Sequence, residues 1–394
     1  MFFKRRLYSD LIHWKNTPLR KPLILRGARQ VGKSFLIQEF GKAEFENWVN
    51  LNFEEESKFR KLFETEEDPL KILSQIEVLK NQSIYPGKTL IFLDEIQNCP
   101  RAIHLLRYFY EKIPDLHLIS AGSLLEFTLD EEIQSFPVGR VQFLYLHPFS
   151  FQEFLGALDE KRLLDFFSKV NWKEPIPPSV HEKSIQLLRD YFLIGGMPDA
   201  IRAYKLTRKY KEAFSVHEAL IASFLDDFRK YRTRFDPRDL SFLFENSARW
   251  IGRALNYTKI GDQTLTSGQV SRGLDLLEKA MLIHRIYPIQ TPQFPFQPNY
   301  RKHPKLCFLD LGLAQSLNKI SHEILESGKI TSIYRGAIVE QWVGQQLLSL
   351  QSNQSSIPRL YFWTSEKNQQ KSEVDFIFPI GAQILPIEVK ASKG

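Results

Sequence analysis

Cysteine is nearly missing from this chain: Cys99 and Cys307 are the only two among 394 residues. They stand in different modules, which excludes a disulfide framework and a cysteine-rich metal site. Long apolar runs are missing as well. No stretch reaches the roughly 18 residues that a membrane span requires, so none is expected. The opening Met-Phe-Phe-Lys-Arg-Arg is not followed by an apolar core of secretory length. A cytoplasmic location is therefore the default. No charge sign dominates: 53 basic against 46 acidic residues leave a net +7, which admits nucleic acid as a partner without establishing it. What the chain has is length for two or three domains and 43% hydrophobic residues. Its 31 phenylalanines recur in amphipathic helices such as Leu163-Leu164-Asp165-Phe166-Phe167 and read as core filler.

Residues 27–34, Gly-Ala-Arg-Gln-Val-Gly-Lys-Ser, match the phosphate-loop pattern of Gly, four residues, then Gly-Lys-Ser. The apolar run Pro22-Leu23-Ile24-Leu25 precedes them as a buried parallel strand, and the segment from Phe35 to Phe40 has helical spacing. Strand, glycine turn and helix form the required context. Gly27 and Gly32 permit a tight turn that presents backbone N–H groups to phosphate. The cradle is expected from Gly27, Ala28, Arg29, Gln30, Val31, Gly32, Lys33, Ser34 and Phe35. Lys33 reaches the β- and γ-phosphates, Ser34 holds Mg²⁺, and the helix N-terminus adds positive charge. Arg29 either contacts phosphate or braces the sheet.

A second strand, Thr89 to Leu93, ends in Asp94-Glu95, at the carboxyl edge where open α/β sheets bind ligands. Asp94 is expected to bind Mg²⁺ and Glu95 to polarise the attacking water. The pair favours ATP hydrolysis over storage. A third strand, Leu116–Ile119, is followed by Ser120-Ala121-Gly122-Ser123. Ser120 is the first choice to sense the γ-phosphate and Ser123 the second; both are equally suited to turns or caps. Arg140 is a candidate to offset developing phosphate charge, in cis or toward a neighbouring subunit, and is otherwise a surface or ion-pair arginine.

The first 150 residues thus read as an α/β ATPase core, with strands near 22–26, 47–51, 89–93, 116–120 and 141–146. Residues 151–235 read as a helical lid or connector. Within it Gly195-Gly196-Met197-Pro198 marks a tight turn, serving either as a lid against nucleotide or as a plain interhelix turn. Residues 236–292 suggest a winged helix-turn-helix: a helix from Asp239 to Trp250, a second from Ser267 to Ala280, and a strand from Met281 to Pro288. Two basic clusters, Lys4-Arg5-Arg6 and Arg229-Lys230-Tyr231-Arg232-Thr233-Arg234, suit phosphate contact, a solvated helix end or an interdomain contact. Residues 293–394 hold Glu340 on a helix, Asp375 on a strand, and Glu388 with Lys390 on another. Glu340, Asp375 and Glu388 are expected to share a divalent metal that activates water against a phosphodiester, with Lys390 orienting it.

The set GARQVGKS at 27–34, LIFLDE at 90–95, ISAGS at 119–123, GR at 139–140, IGGMP at 194–198, VDF at 374–376 and PIEVK at 386–390 resembles the bacterial and archaeal AAA-like ATPases that carry a C-terminal DUF4143 domain. The resemblance implies ATP and Mg²⁺ at Lys33, Ser34, Asp94 and Glu95. It also implies a restriction-endonuclease-like C-terminal fold, with Glu340, Asp375, Glu388 and Lys390 at its acidic and basic positions. Members of that family continue beyond the Glu-Val-Lys strand, so the end at Gly394 suggests a truncated chain or an incomplete core. The expected partners are DNA or RNA, a protein, or further copies of the chain, and no membrane. The alternative function is an ATP-dependent protein-binding switch with an inactive nuclease-like domain.

Overall fold

The computed structural model describes residues 3–122, 139–171, 173–229, 235–320, 332–351, 357–367 and 370–391. By contact density the chain divides into two units, the first running to Leu146 and the second starting at His147.

The first unit is built on five short strands: β1 (Leu23–Arg26), β2 (Asn47–Asn52), β3 (Thr89–Asp94), β4 (His117–Ala121) and β5 (Gln142–Tyr145). They lie in the order β2-β3-β4-β1-β5, every neighbour parallel. β1, β3 and β4 are buried along their whole length. This explains their largely apolar character, because a parallel sheet covered on both faces leaves no polar side. The helices Leu7–Asn16, Lys33–Glu44, Ser57–Thr65, Pro69–Lys80 and Pro100–Lys112 supply the cover. Phe59, Phe63, Ile72, Ile103 and Phe109 pack with Val49, Leu51, Ile91 and Leu93 in one core. Because all strands run the same way, their carboxyl ends gather the loops that follow β1 and β3 along one edge.

Among the described residues, eight α-helices precede the sheet of the second unit, Phe151–Ala157, Pro178–Ile194, Pro198–Thr207 and Tyr210–Phe228 among them. Its sheet contains β6 (Ile283–Ile289), β7 (Lys305–Phe308), β8 (Tyr361–Lys367), β9 (Gln370–Ile380) and β10 (Gln383–Ile387), in the order β10-β9-β8-β6-β7. β6 is antiparallel to β7 and parallel to β8. The helices Pro237–Ser247 and Ser267–Lys279 form where their spacing placed them. The second starts with a reciprocal cap between Thr266 and Gln269. The strand after it, however, is not a free-standing wing. It is an interior strand of the C-terminal sheet, so the boundary expected between 292 and 293 cuts through one sheet. Local pattern placed the strand; only long-range pairing assigns its neighbours.

The turn at Gly195-Gly196 packs within this unit. Gly195 has φ +71°, and a Cβ there would stand 2.2 Å from Asp310 Oδ1. A Cβ on Gly196 would stand 2.4 Å from the Phe149 carbonyl oxygen, so neither position admits a side chain. Gly196 N–H donates to Asp310 Oδ2 at 2.6 Å, across 114 residues of sequence. Asp310, fully buried, also accepts from Leu313 N–H and Gln345 Nε2. No described helix is long and apolar enough to cross a membrane.

Candidate nucleotide site

The loop between β1 and the helix Lys33–Glu44 is fixed by its glycines. Gly32 takes φ +95°, and a Cβ on Gly27 would stand 2.4 Å from the Leu146 carbonyl oxygen. Gln30 also adopts a left-handed φ, +64°. Ala28 and Val31 are buried while Gln30 and Phe35 are exposed. Arg29 is half-buried, and its charge opposes protonation of Lys33. A buried arginine outside the motif braces the loop: Arg5 Nη1 donates to the Val31 carbonyl at 3.1 Å. Arg5 is therefore committed inside the fold and not offered to nucleic acid, as the basic cluster at 4–6 had suggested.

Lys33 opens the helix and is buried. Its Nζ donates to the carbonyls of Gly27 and Ala28, each at 2.9 Å. Burial pulls its pKa down to about 8, against the opposing pull of Glu95 and Asp94. Ser34 Oγ donates to Asp94 Oδ1 at 2.9 Å. Asp94 ends β3 and is buried, which raises its carboxyl to about 6 despite the Ser34 hydrogen bond. A hydroxyl and a carboxylate meeting between two strand ends are hard oxygen donors of the kind Mg²⁺ prefers. The residues present fit that ion.

Glu95 leaves the strand with φ +52°, a conformation that turns its side chain away from the β3 path. Gln97 Nε2 donates to Glu95 Oε2 at 2.6 Å. The same amide is wedged against the end of β4, where a Cβ on Gly122 would stand 2.2 Å from Gln97 Oε1. Arg5 stood out in the sequence only as one of a basic cluster, and Gln97 not at all: it is separated from the acidic pair by one residue, Ile96, yet belongs to no chemical pattern by itself.

Two expected participants lie elsewhere. Ser120 is fully buried, and its hydroxyl donates to the Leu23 carbonyl at 3.3 Å, so it ties β4 to β1 instead of facing phosphate. Arg140 is exposed and pairs with Glu111 at 2.9 Å. It precedes β5, at the amino edge of a parallel sheet whose phosphate loop lies at the carboxyl edge. Topology thus keeps it from its own loop. Ser123 lies outside the described residues.

The C-terminal acids are arranged differently from the metal set expected. Glu340, on the helix Ser332–Ser349, and Asp375, on β9, do converge, but around Lys305 Nζ, at 2.7 and 3.0 Å. Glu373 joins them at 2.6 Å. Glu388 and Lys390 are exposed, because the chain leaves β10 after Ile387. Among the described residues no group of three His, Cys, Asp or Glu side chains could hold a metal ion. Of the basic cluster at 229–234, residues 230–234 lie outside the described residues.

Comparison with known proteins places this geometry. An AAA domain model matches residues 19–155, enclosing the loop, Asp94 and Glu95. A domain of unknown function, DUF8612, matches residues 185–323, and DUF4143 matches residues 335–394. The chain carries an AAA-type P-loop ATPase domain and a C-terminal DUF4143 domain. The DUF8612 match spans the boundary that had been drawn between a connector and a winged helix. No curated protein matches the sequence. Among solved structures, a Walker-type ATPase of Pyrococcus abyssi is 17% identical with a TM-score of 0.49, covering 80% of this chain and 96% of that one. The ORC2 protein of Aeropyrum pernix, in ADPNP and ADP complexes, is 13% identical with a TM-score of 0.42, covering 82% and 100%. The RuvB Holliday junction branch migration motor of Thermotoga maritima is 13% identical with a TM-score of 0.32, covering 76% and 93%. At these scores the likenesses carry no functional weight.

Proposed function

We propose that the AAA domain binds and hydrolyses ATP with Mg²⁺. The observation that carries this reading is the meeting of Ser34 Oγ and Asp94 Oδ1, 2.9 Å apart, beside a lysine that opens the loop helix. In this reading Lys33 exchanges its two loop carbonyls for β- and γ-phosphate oxygens, which are charged and therefore the stronger acceptors. Ser34 and Asp94 hold Mg²⁺, which neutralises phosphate charge when bound. Glu95 accepts the proton of the attacking water, and Gln97 sets the direction of its carboxylate. Direct ATP-binding and phosphate-release assays on the full chain test the reading. ATP binding lost in Lys33→Ala, and binding kept with slow turnover in Glu95→Gln, are the expected results; wild type without ATP affinity would falsify it.

We further propose that turnover is coupled to nucleic acid, supported by the net charge of +7 and by the basic run at 229–234. A second reading is an ATP-dependent switch that binds protein. Three observations favour it: Arg5 is buried, β6 belongs to the sheet and not to a wing, and the C-terminal acids surround a lysine. A salt series on labelled single- and double-stranded DNA and RNA separates the two. Phosphate contacts give affinity that falls steeply with salt, whereas absence of binding at low salt leaves the protein switch.

A further inference from the structure

Lys305 opens β7 and turns its side chain into the second unit, where it is 7% exposed. Its Nζ lies 2.6 Å from Glu373, 2.7 Å from Glu340 and 3.0 Å from Asp375. An ammonium has three N–H donors, and three carboxylate oxygens meet them at the lengths of charge-assisted hydrogen bonds. The Phe362 ring flanks the group, its centroid 5.2 Å from Nζ. The second oxygen of Asp375 is also taken, accepting Val389 N–H at 2.9 Å. We propose that the Lys305 ammonium is the resident cation of this carboxylate cluster. It stands where an oxygen-ligated centre would hold a divalent metal, so Glu340, Glu373 and Asp375 bind no such metal until the ammonium is removed.

Carboxylates placed together repel unless a cation lies between them. A divalent metal and a lysine are alternative solutions, and both cannot occupy one centre. Metal–oxygen bonds run to about 2.1 Å for Mg²⁺ and 2.3–2.6 Å for Ca²⁺, somewhat shorter than the distances here, so a modest inward movement of three side chains would convert the cage. One ammonium does not cancel three carboxylates. The surplus of negative charge is what a divalent ion would meet once Lys305 is gone. The inference is independent of the ATPase reading, since every residue in it belongs to the second unit.

The test is Mn²⁺ binding to the full chain without nucleotide, read by electron paramagnetic resonance, in wild type, Asp375→Asn, Lys305→Ala and the double variant. Wild type and Asp375→Asn should titrate alike. Lys305→Ala should gain one site, which the double variant loses. An Asp375-dependent Mn²⁺ site in wild type would overturn the proposal, as would a folded Lys305→Ala protein that gains none. If Lys305→Ala does not fold in metal-free buffer, thermal melts of it and of Lys305→Gln with Mn²⁺ replace the titration. Recovery of a cooperative transition supports the cage, and failure of both variants to recover sinks the claim that a site is uncovered.

Discussion

Two lysines at the openings of two elements carry opposite instructions. Lys33 is buried against neutral carbonyls, and its pKa falls to about 8. Lys305 is buried against three carboxylates, and their attraction outweighs desolvation and raises its pKa. The first ammonium is held weakly by groups that a phosphate can displace. The second is held by full charges that no passing ligand improves on. Burial opposes the charge of both lysines; the neighbours decide whether the cation is poised or locked.

The comparison breaks most visibly at Lys33. Lys33→Ala should lower ATP turnover by about 10³-fold, the scale of losing a principal charge-stabilising donor. Glu95→Gln should slow phosphate release by roughly 10²–10⁴-fold, the range for a general base, with nucleotide affinity retained; parallel loss of affinity would mean that Glu95 binds rather than reacts. Lys305→Ala should leave turnover per folded molecule intact but cost about 3 kcal/mol of stability in metal-free buffer, because it strands a half-buried set of like charges. A denaturant melt of the second transition measures it, and an unchanged midpoint would show the cage to be ornamental. The smallest effect sharpens the contrast by pH. In the proposed reading Lys33 binds phosphate as the ammonium, and burial pulls its pKa down to about 8. ATP affinity should therefore hold below that pH and fall as pH rises through it, by at most about tenfold per unit. Calorimetry at rising pH checks this; a flat profile would show that Lys33 keeps its proton.

The centre of the ATPase sheet was legible because β1 and β3 are buried, mainly apolar runs with the chemistry at their carboxyl ends. Leu90 to Leu93 followed by Asp94 could be read in order along the chain. Lys33, Ser34 and Asp94 were legible for the same reason. Ser120 was misread because sequence gives a strand end but not which way a hydroxyl faces; it faces β1. Arg140 was left between a phosphate role and an ion pair; it pairs with Glu111, and its distance from its own loop is set by parallel topology, not by spacing. Lys305 left no mark at all, standing 35 residues from Glu340 and 70 from Asp375 without a motif to join them. Glu388 and Lys390 left a strong mark and lie exposed, since the strand that would align them stops at Ile387.

The hydrogen bond from Gly196 to Asp310 has a consequence for synthesis. The first unit has all five strands of its sheet once residue 145 has been made, so it can fold while the ribosome is still at work. The second cannot. Its glycine turn waits for Asp310, and β6 waits for β8 more than seventy residues later. For that interval the helix Pro178–Ile194 lacks the helix Leu311–Leu317 that packs against it. The nascent chain is therefore at its most chaperone-dependent between the turn and the last strands, and substitutions that slow closure there should cost yield in the cell before they cost stability in the tube.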